Sequence, residues 1–121
     1  MTQTAEQTAW REAFAAEVAR CEWCGLSRRP IQVHEISRGP SRQVSLTNRA
    51  CIVCLCDVCH TEVHRLPGDS QRALCLAIVR RNRPLDYSLQ MFHRLTDRNY
   101  PSAELVCLWS RRLNFASETR A

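Results

Sequence analysis

Apolar residues recur at helical spacing near the start of the chain, alternate with polar ones in its middle third, and return to helical spacing after Pro67. Trp10, Ala13, Phe14 and Val18 fall at i, i+3, i+4 and i+8. Thr4-Ala5-Glu6-Gln7 ahead of them has the form of a capping box, so a helix is expected over residues 5–20. Ile31-Gln32-Val33-His34-Glu35-Ile36 alternates up to its His-Glu pair and reads as a first strand. Ala50-Cys51-Ile52-Val53-Cys54-Leu55 reads as the returning one, with Arg38-Gly39-Pro40-Ser41 marking the loop between them. The two are expected to pair antiparallel. A short helix should start near Asp57 and stop at Pro67-Gly68. Asp69 or Ser70 is then placed to cap a helix whose Leu74, Cys75, Leu76, Ile78 and Val79 are apolar almost all round, and which Arg80-Arg81-Asn82-Arg83-Pro84 ends. Further helices are expected over 86–94 and 101–113, with a fraying tail from Asn114.

A chain of 121 residues fits one domain with a modest core. Eight cysteines and only three glycines point to a metal or disulfide staple. The first residues, Met1-Thr2-Gln3-Thr4-Ala5-Glu6, carry no basic stretch leading into an apolar run. No segment approaches the roughly 20 apolar residues of a membrane span. The expected location is therefore intracellular, in the cytoplasm, with no membrane partner. Cysteines kept reduced there favour metal thiolates over disulfides.

Two Cys-x-x-Cys pairs, Cys21/Cys24 and Cys56/Cys59, can place four thiolates around one structural zinc, each pair forming a knuckle. Gly25 is free to adopt the positive φ such a turn uses. Cys51-x-x-Cys54 is an equally valid spelling of the second pair, but Cys59 runs directly into a histidine-bearing helix, whereas Cys51 and Cys54 sit in an apolar run. With Cys75 and Cys107, those two are expected to act as small buried hydrophobes. Zinc in the preferred site would contribute on the order of 10 kcal/mol to folding.

His60 and His64 are four apart on the expected short helix and so share one face. His34, at the end of the first strand, would add a third imidazole from across the fold. The site is thus expected to hold a second metal ion.

These residues, in the order knuckle, Val-His-Glu-Ile strand, loop, returning strand, knuckle and Cys-His-x-x-x-His helix, resemble the HNH endonuclease family over 21–64. The resemblance implies an α+β fold: a small zinc-stabilised ββα-metal (His-Me finger) core over 21–66, an N-terminal helix over 5–20 and a helical extension over 69–113. It also implies metal-assisted hydrolysis of phosphodiester bonds in DNA, with Mg²⁺, Mn²⁺ or Ni²⁺ held by His34, His60 and His64. Small stand-alone members often belong to phages or mobile elements. Two positions depart from the family pattern. Glu35 stands where a general-base histidine is expected and becomes the candidate base; a one-residue shift in alignment makes His34 the base and Glu35 a ligand instead. The family's central asparagine is missing at its usual distance, which Cys51 occupies; Asn48 either serves in its place or forms an ordinary turn.

The net charge is +5, and every basic residue is an arginine. Between Gly25 and Cys51 five arginines face one acid, Glu35. Arg38, Arg42 and Arg49 are the candidates for gripping a DNA backbone. The run Arg80-Arg81-Asn82-Arg83 is explained by the negative end of its helix. A second function class stays open: a catalytically inactive nucleic-acid- or protein-binding module on the same zinc scaffold. A third class, a Cys-rich redox protein, has weak support, because a Cys-x-x-Cys motif alone does not make the thioredoxin βαβ pattern.

Overall fold

The computed structural model describes residues 3–27, 30–36 and 45–119. Five helices and a two-stranded ribbon succeed one another as α1 (Ala5–Val18), β1 (Ile31–Glu35), β2 (Ile52–Cys56), α2 (Asp57–His64), α3 (Gly68–Asn82), α4 (Leu89–Thr96) and α5 (Ala103–Thr119). This is a small mixed α+β fold. The loop carrying Arg38 and Arg42 lies outside the described residues, as do Arg28 and Arg29.

The capping box forms as expected. Gln7 N donates to Thr4 Oγ1 at 3.1 Å, and Thr4 N donates to Gln7 Oε1 at 2.8 Å. The helix stops at Val18, two residues early, because Ala19 turns into the left-handed region at φ 58°. Trp10 and Phe14 stack at 5.7 Å and, with Val18, cover one face of the ribbon. Ala13 is exposed, so the apolar stripe is narrower than its spacing implied.

The ribbon is antiparallel with Ile31 opposite Cys56, Val33 opposite Cys54, His34 opposite Val53 and Glu35 opposite Ile52. Successive strand residues face opposite sides. Val33, Cys54, Glu35 and Ile52 therefore look toward α1, while His34, Val53, Gln32 and Leu55 look the other way. The α1 side packs Phe14 with Ile52 and Cys54. The far side builds the larger core, in which Val53 and Leu55 meet Val63 of α2, the buried run from Ala73 to Val79 of α3, Phe92 of α4 and Val106 of α5. Seven consecutive buried residues on α3 account for its apolar circumference, since it is wrapped on all sides.

Three boundaries differ from expectation for local reasons. Pro67 is the N-cap of α3 and Gly68 its first residue, so neither Asp69 nor Ser70 caps it; Asp69 sits in the first turn and pairs with Arg72 at 3.1 Å. Helix α4 starts at Leu89 rather than at residue 86, with Ser88 as its cap accepting from Met91 N at 3.1 Å, while Asp86 pairs with Arg49 and Arg83. The backbone of α5 continues helical to Thr119, past the point where fraying was expected. Among the described residues no helix is long and apolar enough to cross a membrane.

Two candidate metal centres

Cys21 and Cys24 lie in the turn between α1 and β1; Cys56 ends β2, and Cys59 lies in the first turn of α2. The turn closes on itself, Gly25 N donating to Cys21 O and Cys21 N to Leu26 O, both at 2.9 Å. Gly25 takes φ +83°, the left-handed region that favours glycine. A strand-to-helix corner supplies the other pair. All four sulfurs fall within 4.8 Å of one another, and Cys24 Sγ is 3.9 Å from Cys56 Sγ. A tetrahedral zinc with Zn–S of about 2.3 Å has sulfur–sulfur edges of about 3.8 Å. The cluster therefore has the donors and spacing to hold a metal such as zinc.

Burial raises the Cys21 thiol, but hydrogen bonds from the Cys24, Cys56 and Trp23 backbones and from the Cys24 thiol outweigh it and bring Cys21 down to about 7. It is primed to ligate as thiolate. Burial, reinforced by the neighbouring sulfurs, pushes Cys59 up. Cys51 and Cys54 lie outside the cluster, and burial drives both to about 12. The fold thus resolves the two spellings in favour of Cys56 and Cys59. Cys75 is a buried hydrophobe as well, also at about 12 through burial, but Cys107 is exposed, contrary to expectation.

The first knuckle is braced by a residue set that sequence reasoning passes over. Glu22 is buried; its backbone N donates to Cys54 O at 2.8 Å, and its Oε1 accepts from Cys54 N at 3.0 Å. Arg83 closes on the same carboxylate, Nε to Oε2 at 2.8 Å and Nη2 to Oε1 at 3.1 Å, and reaches Ile52 O at 2.7 Å. Arg81 Nη2 donates to the carbonyls of Glu22 and Trp23 at 2.7 and 2.9 Å, and Asn82 Nδ2 to Glu22 O at 2.6 Å. The run Arg81-Asn82-Arg83 is therefore a clamp on the knuckle, not only a complement to the helix end. Its sequence signal is the interruption of two arginines by an asparagine directly before a proline; its acidic partner, one residue after Cys21, gives none.

His34 of β1 and His60 and His64 of α2 also converge, each offering a ring nitrogen within 4.8 Å of the others. His60 Nε2 and His64 Nε2 are 3.1 Å apart. Edges between about 2.8 Å (octahedral) and about 3.4 Å (tetrahedral) are expected for nitrogens sharing a first-row divalent ion at about 2.0–2.1 Å. The rings stand edge to face, His34 lying 5.0 Å from His60 and 5.4 Å from His64 between centroids. His34 and His60 are half-buried and His64 is exposed, so the cluster opens to solvent on one side.

Glu35, adjacent to His34 in sequence, faces α1, where its Oε1 is 4.0 Å from Arg11 Nη1 and both side chains are largely buried. Arg11 also donates to Val33 O at 2.8 Å and Leu46 O at 3.0 Å. Asn48 forms a turn, its Oδ1 accepting from Ala50 N at 2.9 Å, in keeping with the plainer of its two readings. Arg49 bridges Glu17 at 2.7 Å and Asp86 at 2.9 Å, which raise its pKa, the Glu17 contact most. Two carboxylates thus already offset its charge. Comparison with protein-family models, curated proteins and solved structures returned no match for this chain.

Proposed function

We propose that the chain is a metal-dependent endonuclease of the HNH type, hydrolysing phosphodiester bonds in DNA. The observation that carries this reading is the convergence of His34, His60 and His64 on one solvent-open point, on a helix that begins at the cysteine cluster. In this reading 21–66 is the ββα-metal core, built on structural zinc at Cys21, Cys24, Cys56 and Cys59.

Three imidazoles with no carboxylate among them suit a borderline transition ion such as Zn²⁺ or Ni²⁺ better than Mg²⁺ or Mn²⁺, which prefer oxygen ligands. A divalent ion there supplies Lewis acidity to the phosphate and lowers the pKa of a coordinated water. The protein fixes the three imidazoles from a strand and a helix locked together by the knuckle. The exposed side at His64 admits the phosphodiester. His34 lies at ligand distance from the other two, which favours it as ligand over base. Glu35, the candidate base, faces α1, so we assign it the positioning of β1 through Arg11 rather than direct removal of a proton from water.

That same orientation favours a second reading, a binding module without catalysis. Plasmid cleavage by metal-stripped protein refilled with Mg²⁺, Mn²⁺, Ni²⁺ or Zn²⁺ separates the two. Activity with a transition ion, reduced about 100-fold or more by His60→Ala and less than about tenfold by Glu35→Gln, is the expected result. Cleavage that survives His60→Ala sinks the nuclease reading. Salt-sensitive DNA binding without cleavage under any ion selects the module.

A further inference from the structure

The C-terminal half of α3 and the middle of α5 enclose a cleft of about 400 Å³ whose walls carry Arg80 and Arg81 from α3 and Cys107, Ser110, Arg111 and Asn114 from α5. Among the described residues no carboxylate lines it. The four α5 positions fall at i, i+3, i+4 and i+7, one stripe of that helix. Arg80 stands over the Tyr87 ring at 5.8 Å and donates Nη1 to Cys107 Sγ at 3.6 Å. Both contacts orient the guanidinium without neutralising it. Among the described residues neither Arg80 nor Arg111 has an ion-pair partner, whereas Arg49, Arg65, Arg72 and Arg83 each do. The cleft wall also carries an orphan: Ser110 Oγ is buried with no hydrogen-bond partner, an arrangement that costs about 1–3 kcal/mol until an acceptor arrives. The C-terminal end of α3 contributes about half a negative charge. The guanidiniums of Arg80 and Arg111 exceed it several-fold, while Arg81 is already committed to the Glu22 and Trp23 carbonyls.

We propose that this cleft is a phosphate-binding subsite for the nucleic-acid backbone, separate from the histidine cluster. The inference rests on the nucleic-acid reading above. Guanidinium forks bind phosphate oxygens bidentately, and Ser110 Oγ donates to the remaining oxygen. The volume exceeds that of one phosphate and leaves room for the flanking sugars. The extension after Pro67 thereby gains a role beyond packing, holding the strand while the histidine cluster meets the scissile bond.

The test is the salt dependence of duplex binding, measured by fluorescence anisotropy on zinc-loaded full-length protein carrying His60→Ala so that no cleavage intervenes. Adding Arg80→Gln and Arg111→Gln is expected to lower the slope of log K against log salt by about 1–2, equally on unrelated sequences, with the melting temperature unchanged. Ser110→Ala should weaken binding several-fold. Arg112→Gln removes the same charge one residue along, where the guanidinium lies over Trp109 at 4.8 Å, and should change the slope less than either cleft arginine. An unchanged slope in the double variant overturns the proposal, as does an equal loss from Arg112→Gln. Calorimetry with inorganic phosphate distinguishes the source: phosphate binding lost in the double variant beside an unaltered duplex slope overturns the backbone assignment. Cleavage that depends on His60 while the slope stays unaltered would fail the cleft alone and leave the nuclease reading standing.

Discussion

The two ligand clusters share one short helix and differ in nearly everything else. Three of the four cysteines are buried, and the knuckle around them is held by a buried acid and a clamp of arginines. The histidines are half-buried or exposed, and one side of their cluster meets solvent. A closed four-sulfur set suits a metal that builds structure; an open three-nitrogen set suits one that must exchange ligands. The helix α2 has eight residues, too few to hold without tertiary support. The cysteine cluster, at the first turn of that helix, is then expected to set the geometry of the histidines more than the reverse.

The most severe test of that asymmetry is Cys56→Ser, which removes a ligand at the point where β2 becomes α2. Loss of the metal-coupled folding energy, on the order of 10 kcal/mol, is expected to abolish cooperative melting by circular dichroism and to empty both sites together. A variant that melts like the wild type while holding one ion fewer would show the cluster to be dispensable for folding, and the comparison would collapse.

Next in size is the clamp. Glu22 and Arg83 have side chains only 1% and 11% exposed, so removing one partner strands a charge away from water. Arg83→Gln is expected to cost about 3–5 kcal/mol, read from denaturant unfolding, and to weaken the cysteine site more than the histidine site. A loss under about 1 kcal/mol would mean that the knuckle stands without its brace. The double change Glu22→Gln with Arg83→Gln should cost less than the sum of the two single changes, since neither then leaves the other's charge unpaired.

This clamp also marks where sequence reading stops. Helix α1, both strands and the sharing of one face by His60 and His64 come from local periodicity, which any short stretch of chain carries. The choice of Cys56 and Cys59 over Cys51 and Cys54 is legible from the neighbours of each pair, because a knuckle needs a corner and an apolar run does not offer one. The partners of Arg83 are not legible. Asp86 is three residues along, but Glu22 and the Arg49 and Ile52 carbonyls meet it from distant stretches of the chain, and a guanidinium at a helix end looks the same whether it is solvated or enclosed. Arg49 shows the same limit: its carboxylate partners come from α1 and from the turn before α4. Glu35 shows a different one. Alternation along β1 already places it opposite in facing to His34, but the family resemblance treats the pair as one unit. Arg11, supplied by α1, gives that other face a reason to hold an acid.

The smallest expected effect on stability is the most informative about the open cluster. His64 is exposed and ends α2, so His64→Ala removes little packing and leaves no buried group unpaired. Surface changes of this kind stay within about 0.5 kcal/mol. The wild-type protein is expected to hold two transition ions per chain by mass spectrometry under native conditions, and His64→Ala only one, with the melting curve of the cysteine-bound form nearly superimposed. Because two imidazoles seldom retain what three hold, the loss should appear at the weaker site alone. If His64→Ala instead unfolds the protein, the histidines share the structural load of the cysteines, and the division of labour between a closed and an open centre fails.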